Sequence, residues 1–133
     1  MKAYISISYS KRLVFEAEVN TIRKVLETHR VESFIFVDYF KFVNGQERQM
    51  MKEALKRLDE CDLLIAETSD KAIGIGVEAG YAKAKGIPVI YLRREDAEHS
   101  TTVAGISDVQ IIYHDINDLS DQLHRTIRTI RME

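Results

Sequence analysis

The chain has 133 residues, of which 45% are hydrophobic, 8% aromatic and 30% charged, and its formal net charge is -2 with a pI near 6.1. This length and composition predict one domain with a single core, and the weak acidity argues against nucleic-acid binding. No apolar run is long enough to cross a bilayer, and the N-terminus is too short and polar for a signal peptide. We therefore expect a cytoplasmic protein without membrane contact.

The first half of the chain alternates strands with helices. In chain order, its spacing predicts a strand over 3–8, a helix over 13–29, a strand over 33–37 and a helix over 48–58. Apolar residues three and four positions apart indicate the first helix. An Asn44-Gly45 turn signal precedes the second helix.

The second half repeats the alternation. It contains a predicted strand over 63–66, a helix over 74–85, a strand over 87–92, a polar connection over 93–105 with room for a short helix, a strand over 109–113 and a final helix. Unbroken apolar strands joined by crossover helices are typical of a parallel sheet covered on both faces. We therefore predict a single α/β domain over 1–133. Its fold is flavodoxin-like and doubly wound, with a five-stranded parallel sheet in the order 2-1-3-4-5.

One crossover places a carboxylate beside two glycines near the start of a helix. Gly74 and Gly76 are expected to allow a tight turn and to leave room for a ligand. Glu78 is expected in the first helical turn or so, where the helix dipole favours the ionised carboxylate by ~0.3 to 1 kcal/mol. Most glutamates at such positions have no chemical role, so the surrounding motif decides the interpretation.

The segment SDKAIGIGVEAGYAKAKGIPVIYL, which starts at Ser69, resembles the signature of the nucleoside 2-deoxyribosyltransferase superfamily. That signature is a glycine loop, then Glu-x-Gly-x-Ala, then a Gly-x-Pro strand entry. The matching residues are Gly76, Glu78, Gly80, Ala82, Gly86 and Pro88. The chain is most similar to the short 2'-deoxynucleoside 5'-phosphate N-hydrolases and related nucleotide N-glycosidases. The resemblance implies a retaining cleavage of the base-sugar bond with Glu78 as nucleophile, no cofactor, and a homodimer or higher homo-oligomer.

The tip of the first strand carries further candidates. Tyr4 matches a tyrosine that the N-hydrolases use in catalysis, although a core aromatic residue fits the position equally well. Ser8 matches a serine of the family's first loop, and Ser10 lies beside it. Lys11 and Arg12 stand near the basic residue that the N-hydrolases use for phosphate, and charge-assisted bonds from them would hold a 5'-phosphate.

Two other loops complete the predicted site. Ser100 aligns with a phosphate-binding serine after the fourth strand, which the N-hydrolases often supply from the partner subunit. Thr101 and Thr102 are equally suited by their chemistry. Asp38 and Tyr39 are candidates for base or sugar contacts, although an aspartate after a strand is more often a turn residue. No His, Cys or carboxylate cluster has metal-ligand spacing, so we expect no metal.

The catalytic part of the resemblance has one departure. Ala54 stands where the family has a helix-borne aspartate that helps to orient or protonate the substrate. Glu53 is one position away, which rotates it by about 100° around the helix. Glu67, with a pKa raised by burial, and His99 are the other candidates for an acid.

The phosphate-binding part has another departure. Ala72 replaces a phosphate-binding serine of the N-hydrolases, and Thr68 or Ser69 are the candidates to substitute for it.

The sequence therefore predicts an N-glycosidase that hydrolyses (deoxy)nucleoside 5'-monophosphates through a glutamate nucleophile. Two alternatives stay open. One is a 2-deoxyribosyltransferase acting on free nucleosides. The other is a non-catalytic module that senses a nucleotide, which the two alanines favour. In each case the partner is a small nucleotide or nucleoside.

Overall fold

A parallel sheet forms the centre of the computed structural model, which describes residues 1–41 and 44–131. Residues 42–43 and 132–133 of the predicted domain lie outside this description. The strands are β1 (Lys2–Ser6), β2 (Glu32–Ile35), β3 (Leu63–Glu67), β4 (Val89–Arg94) and β5 (Val109–Tyr113). All pairings are parallel, in the order β2-β1-β3-β4-β5, which confirms the predicted flavodoxin-like topology.

Helices cover both faces of this sheet. They are α1 (Glu16–Thr28), α2 (Phe36–Tyr39), α3 (Glu47–Asp59), α4 (Ile73–Ala84), α5 (Thr101–Ile106) and α6 (Ile116–Ile130). One core cluster joins the sheet to α1 and α6, and a second joins it to α3, α4 and α5. None of the described helices is long and apolar enough to cross a membrane.

The alternation of side chains along β1 decides which residues can meet a helix. Ala3 and Ile5 lie in the core with α1 and α6, whereas Tyr4 lies in the core with α3, α4 and α5. Ser6 is two positions beyond Tyr4 and therefore shares its face. Since β1 pairs with both β2 and β3, it is an interior strand, and Tyr4 and Ser6 lie away from the side edges of the sheet.

Several element boundaries differ from the sequence prediction. A 3-10 turn over Arg12–Phe15 precedes α1, because Leu13 and Val14 point to solvent while only Phe15 enters the core. The second strand ends at Ile35, and the chain continues into the single turn of α2. The predicted short helix in the connection after the fourth strand is present as α5.

Gly86 explains how α4 ends and β4 begins. Its φ of +75° is in the left-handed region that favours glycine. The amide of Ile87 then donates to the carbonyl of Ala82 at 2.9 Å, which closes the helix end as in a Schellman motif.

Candidate active site

The Glu78 side chain extends from α4 toward β1 and accepts two hydrogen bonds there. The Tyr4 hydroxyl donates to Oε2, and the Ser6 hydroxyl donates to Oε1 at 2.7 Å. Both donors lie on the same face of one strand because they are two residues apart. The strand and the helix thus fix the orientation of one carboxylate through both of its oxygens.

Opposing effects set the protonation of this carboxylate. Burial raises the pKa of Glu78, and the hydrogen bonds from Tyr4 and Ser6 lower it. Burial, followed by the charge of Glu78, raises the pKa of Tyr4 far above its usual range. Tyr4 therefore stays protonated and acts as a permanent donor, which favours the ionised form of Glu78.

Glu78 lines a cavity of about 240 Å³ that we call the apolar cavity. The other described lining residues are Ile7, Tyr9, Phe36, Val37, Phe40, Met50, Met51, Ala54, Ala72, Gly74 and Ile75. The rings of Phe36 and Phe40 stack in its wall, with centroids 5.5 Å apart and planes inclined by 13°. The cavity therefore offers flat, hydrocarbon-rich surface next to a carboxylate.

A second cavity of about 420 Å³, which we call the hydroxyl cavity, adjoins the first. Its described lining residues are Thr68, Lys71, Ala72, Ile73, Ile75, Gly76, Ser100, Thr101, Thr102 and Val103. Ala72 and Ile75 line both cavities, so the two meet at the start of α4. Lys71 Nζ lies 2.9 Å from Glu98 Oε1, and both side chains are largely exposed.

The basic residues after β1 are placed differently from the expectation. Arg12 makes a bidentate ion pair with Asp38, at 2.7 and 2.8 Å, and a further bond to Glu16 at 2.9 Å. Neither Lys11 nor Arg12 belongs to the described lining of the two cavities. Phosphate binding by these residues stays a prediction, and for Arg12 it requires competition with two carboxylates.

The remaining candidates near β1 and β2 also lie outside the described cavity walls. Ser8 is buried and its hydroxyl oxygen is 3.3 Å from that of the exposed Ser10. Tyr39 accepts a hydrogen bond from Arg57 at 2.7 Å. Asp38 is occupied by Arg12, so the structure places it in an ion pair rather than at the apolar cavity.

The structure places an alanine where the family resemblance requires an acid. Ala54 lines the apolar cavity, so an aspartate there would face it. Glu53 instead pairs with Arg57 at 3.0 Å. Glu67 points to the opposite face of the sheet, where it is buried. His99 is exposed, with Nδ1 3.3 Å from the hydroxyl of Tyr91.

Ala72 stands where the N-hydrolases have a serine, and the two hydroxyls predicted to substitute for it, those of Thr68 and Ser69, both take part in hydrogen bonds within the protein. Thr68 donates to the carbonyl of Leu92 at 2.9 Å. Ser69 Oγ accepts from the amide of Arg94 at 2.8 Å. Both side chains therefore connect β3 to β4.

Two expectations about the start of α4 are wrong. Glu78 is the sixth residue of a helix that begins at Ile73, so it lies in the second turn, beyond the main influence of the helix dipole. Gly74 and Gly76 are helical and neither has a positive φ, so a tight turn is not their role. A Cβ atom on either one would meet nothing within 4 Å, which leaves space for a ligand.

Sequence reasoning gave no role to several residues that the structure brings to the site. Ser6 was detectable, because it shares a strand face with Tyr4. Lys71 had only its position before the helix as a signal. Met50 was not detectable as a cavity residue, because helical spacing does not show which buried side chains border an empty space.

Comparisons with known proteins agree with this architecture. A sequence profile described as nucleoside 2-deoxyribosyltransferase matches residues 13–121, and the chain therefore belongs to this family. The resemblance found in the sequence is confirmed.

Two curated proteins and one solved structure are among the proteins that the chain resembles. The chain is 41% identical over 58 residues to a putative 2'-deoxynucleoside 5'-phosphate N-hydrolase 1 from Syntrophotalea carbinolica, covering 42% of this chain and 41% of that protein. It is 32% identical over 81 residues to a protein of the same description from Thermofilum pendens, covering 57% of each. The matches thus span about half of each curated relative.

A solved structure is also similar to this one. The structure of Clostridium botulinum CMP N-glycosidase, BcmB, superposes on this chain with a TM-score of 0.67 at 23% identity, covering 92% of this chain and 98% of that one.

Proposed function

We propose that this protein hydrolyses the base-sugar bond of (deoxy)nucleoside 5'-monophosphates, with Glu78 as nucleophile. The observation that carries the proposal is the Tyr4–Ser6–Glu78 cluster at the wall of a cavity lined with aromatic and apolar residues. A base can stack in such a cavity while the sugar meets the carboxylate.

The chemistry follows from the geometry of the carboxylate. Glu78 attacks the anomeric carbon, the bond to the base nitrogen breaks, and its electron pair leaves with the base. Water then hydrolyses the resulting ester, giving the sugar 5-phosphate and free Glu78. Tyr4 and Ser6 hold both carboxylate oxygens in place, so little reorganisation is needed at the moment of attack.

The departing base needs a proton, and Ala54 does not provide one. Within the described lining of the apolar cavity, Glu78 is the single carboxylate. We therefore assign protonation of the base to water at the open side of the cavity. This feature lowers the expected rate, because a positioned general acid typically contributes about 10²- to 10⁴-fold.

The hydroxyl cavity supports a phosphorylated substrate. Lys71, Ser100 and Thr101 border a space that adjoins the apolar cavity through Ala72 and Ile75. A lysine and several hydroxyls are suited to phosphate oxygens. We place the 5'-phosphate there in preference to the loop of Lys11 and Arg12, because two carboxylates, Asp38 and Glu16, hold the largely buried Arg12. The exposed Lys71 pairs with one carboxylate, that of the exposed Glu98.

A nucleotide sensor is the second candidate, and Ala54 is the observation that favours it. Without an acid in the cavity wall, the same site would bind a nucleotide and turn it over slowly or not at all. The cytoplasmic location, the homo-oligomeric state and the choice between hydrolase and transferase also remain predictions from the sequence.

The test is chromatographic detection of free base after incubation with ribo- and deoxyribonucleoside 5'-monophosphates and their nucleosides. Glu78→Ala and the matched control Glu67→Gln are assayed beside the wild type. We expect base release from monophosphates in the wild type and in Glu67→Gln, with none in Glu78→Ala. Saturable nucleotide binding without any product would favour the sensor, and equal release by Glu78→Ala would overturn the proposed nucleophile.

A further inference from the structure

The described lining of the apolar cavity contains few side-chain groups that could read a base by hydrogen bonding. Among its described side chains, only the Tyr9 hydroxyl and the Glu78 carboxylate are polar. Tyr9 is 58% exposed, and both oxygens of Glu78 already accept hydrogen bonds. The remaining described lining side chains are hydrocarbon, aromatic or thioether, or are absent in the case of Gly74.

Enzymes that act on nucleobases usually read the Watson-Crick edge with hydrogen bonds from polar side chains. Here Phe36, Phe40, Met50 and Met51 supply apolar wall to the cavity. Any base entering this cavity would leave water behind without finding partners among the described side chains for its amino and carbonyl groups, and that is unfavourable. An alkyl substituent adds a favourable term, because it replaces water with apolar contact.

The character of the walls matches such a substituent. Phe36 and Phe40 stack on each other and supply aromatic carbon to the cavity wall, which a base ring can contact. The two methionines are unbranched and polarizable, and such side chains adapt to irregular apolar groups. The volume of about 240 Å³ lies below the range of roughly 300 to 1,000 Å³ usual for whole drug-sized ligands. It therefore suits the base, with the phosphate outside.

We propose that the apolar cavity selects nucleobases that carry a methyl or other small alkyl group on their edge, through shape and apolar contact rather than hydrogen bonding. This inference rests on the proposed function for its catalytic consequence, but the selectivity itself is a property of the cavity. The substrates would thus be monophosphates of alkylated bases.

The kinetic arm of the test compares pairs that differ by one methyl group. We expect kcat/KM to be about tenfold higher or more for dTMP than for dUMP, and for N6-methyl-dAMP than for dAMP, as is typical for one methyl group in an apolar pocket. In Met51→Gln the preference should fall below about threefold, whereas the matched Met51→Leu should retain it. Equal kcat/KM within both pairs of substrates in the wild type would overturn the inference.

The binding arm uses free bases and needs no catalysis. Calorimetry should show tighter binding of thymine than of uracil and of N6-methyladenine than of adenine, by about tenfold. Selective binding without turnover of any nucleotide would support the cavity's selectivity and contradict the proposed enzyme. Turnover without any methyl preference in either arm would support the proposed enzyme and contradict the cavity's selectivity. Thermal unfolding of both Met51 variants shows whether they are folded.

Discussion

Two glutamates occupy closely similar surroundings on opposite faces of the sheet. Glu78 accepts hydrogen bonds from Tyr4 and Ser6, and Glu67 accepts them from the Tyr113 hydroxyl and the Ser69 amide, both at 2.6 Å. Burial raises the pKa of both carboxyls, and these hydrogen bonds lower it. The main influences on the carboxyl pKa are therefore of the same kind at the two sites, and the charge of Glu18 raises the pKa of Glu67 in addition.

What separates the two glutamates is access. Glu67 is 1% exposed and enclosed by the core that contains Tyr113. Glu78 is only partly buried and lines the apolar cavity. A perturbed carboxyl is a candidate for catalysis only where a substrate can reach it, so the comparison assigns chemistry to Glu78 and a structural role to Glu67.

The largest expected effect comes from exchanging each carboxylate for an amide. Glu78→Gln should lower kcat/KM for base release by at least about a thousandfold, because it removes the attacking group. Glu67→Gln should leave kcat/KM within about threefold, because Glu67 belongs to the described lining of neither the apolar nor the hydroxyl cavity. Steady-state assays of both purified variants test this, and a similar loss in both would end the distinction.

The tyrosine partners give the next largest effect. Tyr4→Phe should reduce kcat/KM by roughly 10² at neutral pH, because one hydrogen-bond donor to the reacting carboxylate is lost. Its loss also removes a bond that lowers the pKa of Glu78, so the acidic limb of the pH-rate profile should move to higher pH.

Tyr113→Phe is the matched change at Glu67. It should leave the pH-rate profile in place and lower the free energy of unfolding by about 1 kcal/mol through the lost bond to Glu67. An unmoved acidic limb in Tyr4→Phe would argue that Glu78 is not the titrating group.

A smaller effect is expected at Ser6. Ser6→Ala removes the bond to Glu78 Oε1 but leaves the Tyr4 bond to Oε2, so kcat/KM should fall by about tenfold. Ser107→Ala is the control, because the Ser107 hydroxyl donates to the carbonyl of Ala104 at 2.8 Å and the residue belongs to the described lining of neither cavity. Assays with one nucleotide at saturating and limiting concentration separate kcat from KM, and an equal loss in both variants would contradict a specific role for Ser6.

The two glutamates should affect the pH dependence of the free energy of unfolding in the same direction. Burial raises both pKa values above the ordinary 4.5, so the folded protein keeps protons that the unfolded chain has released. The free energy of unfolding should therefore decrease as the pH rises from about 4.5 through the folded pKa values. Glu67→Gln and Glu78→Gln should each make this decrease smaller. Urea unfolding across that pH range measures it, and a steeper decrease in either variant would contradict the direction of the shifts.

The fold was predictable because its signals are local and repeated. Apolar strands such as 63–66 and the apolar stripes of α1 and α6 can each be recognised within a short window of sequence. Once strands and helices alternate, the rules for parallel connections allow only a few strand orders. The contact between Tyr4 and Glu78 was accessible because the family pattern and the strand order place both at one edge.

Other parts of the site depend on long-range contacts that periodicity does not encode. The ion pair of Arg12 with Asp38 joins residues 26 positions apart, and the sequence pattern gave no sign of it. The sequence therefore suggested an arginine that binds phosphate, whereas in the structure this arginine is paired with a carboxylate. The predicted start of α4 at Gly74 is one residue from the observed start at Ile73, but the tight glycine turn expected there is helix instead.

The most direct test of the central claim is to trap the covalent intermediate. The protein is incubated with a nucleoside 5'-monophosphate whose sugar carries a 2'-fluorine in place of hydrogen, because fluorine opposes the positive charge that develops in hydrolysis and slows release of the ester. Intact-mass analysis should show one added sugar phosphate, and peptide mapping should locate it on Glu78. Base release without any adduct, or an adduct on another residue, would contradict Glu78 as the nucleophile.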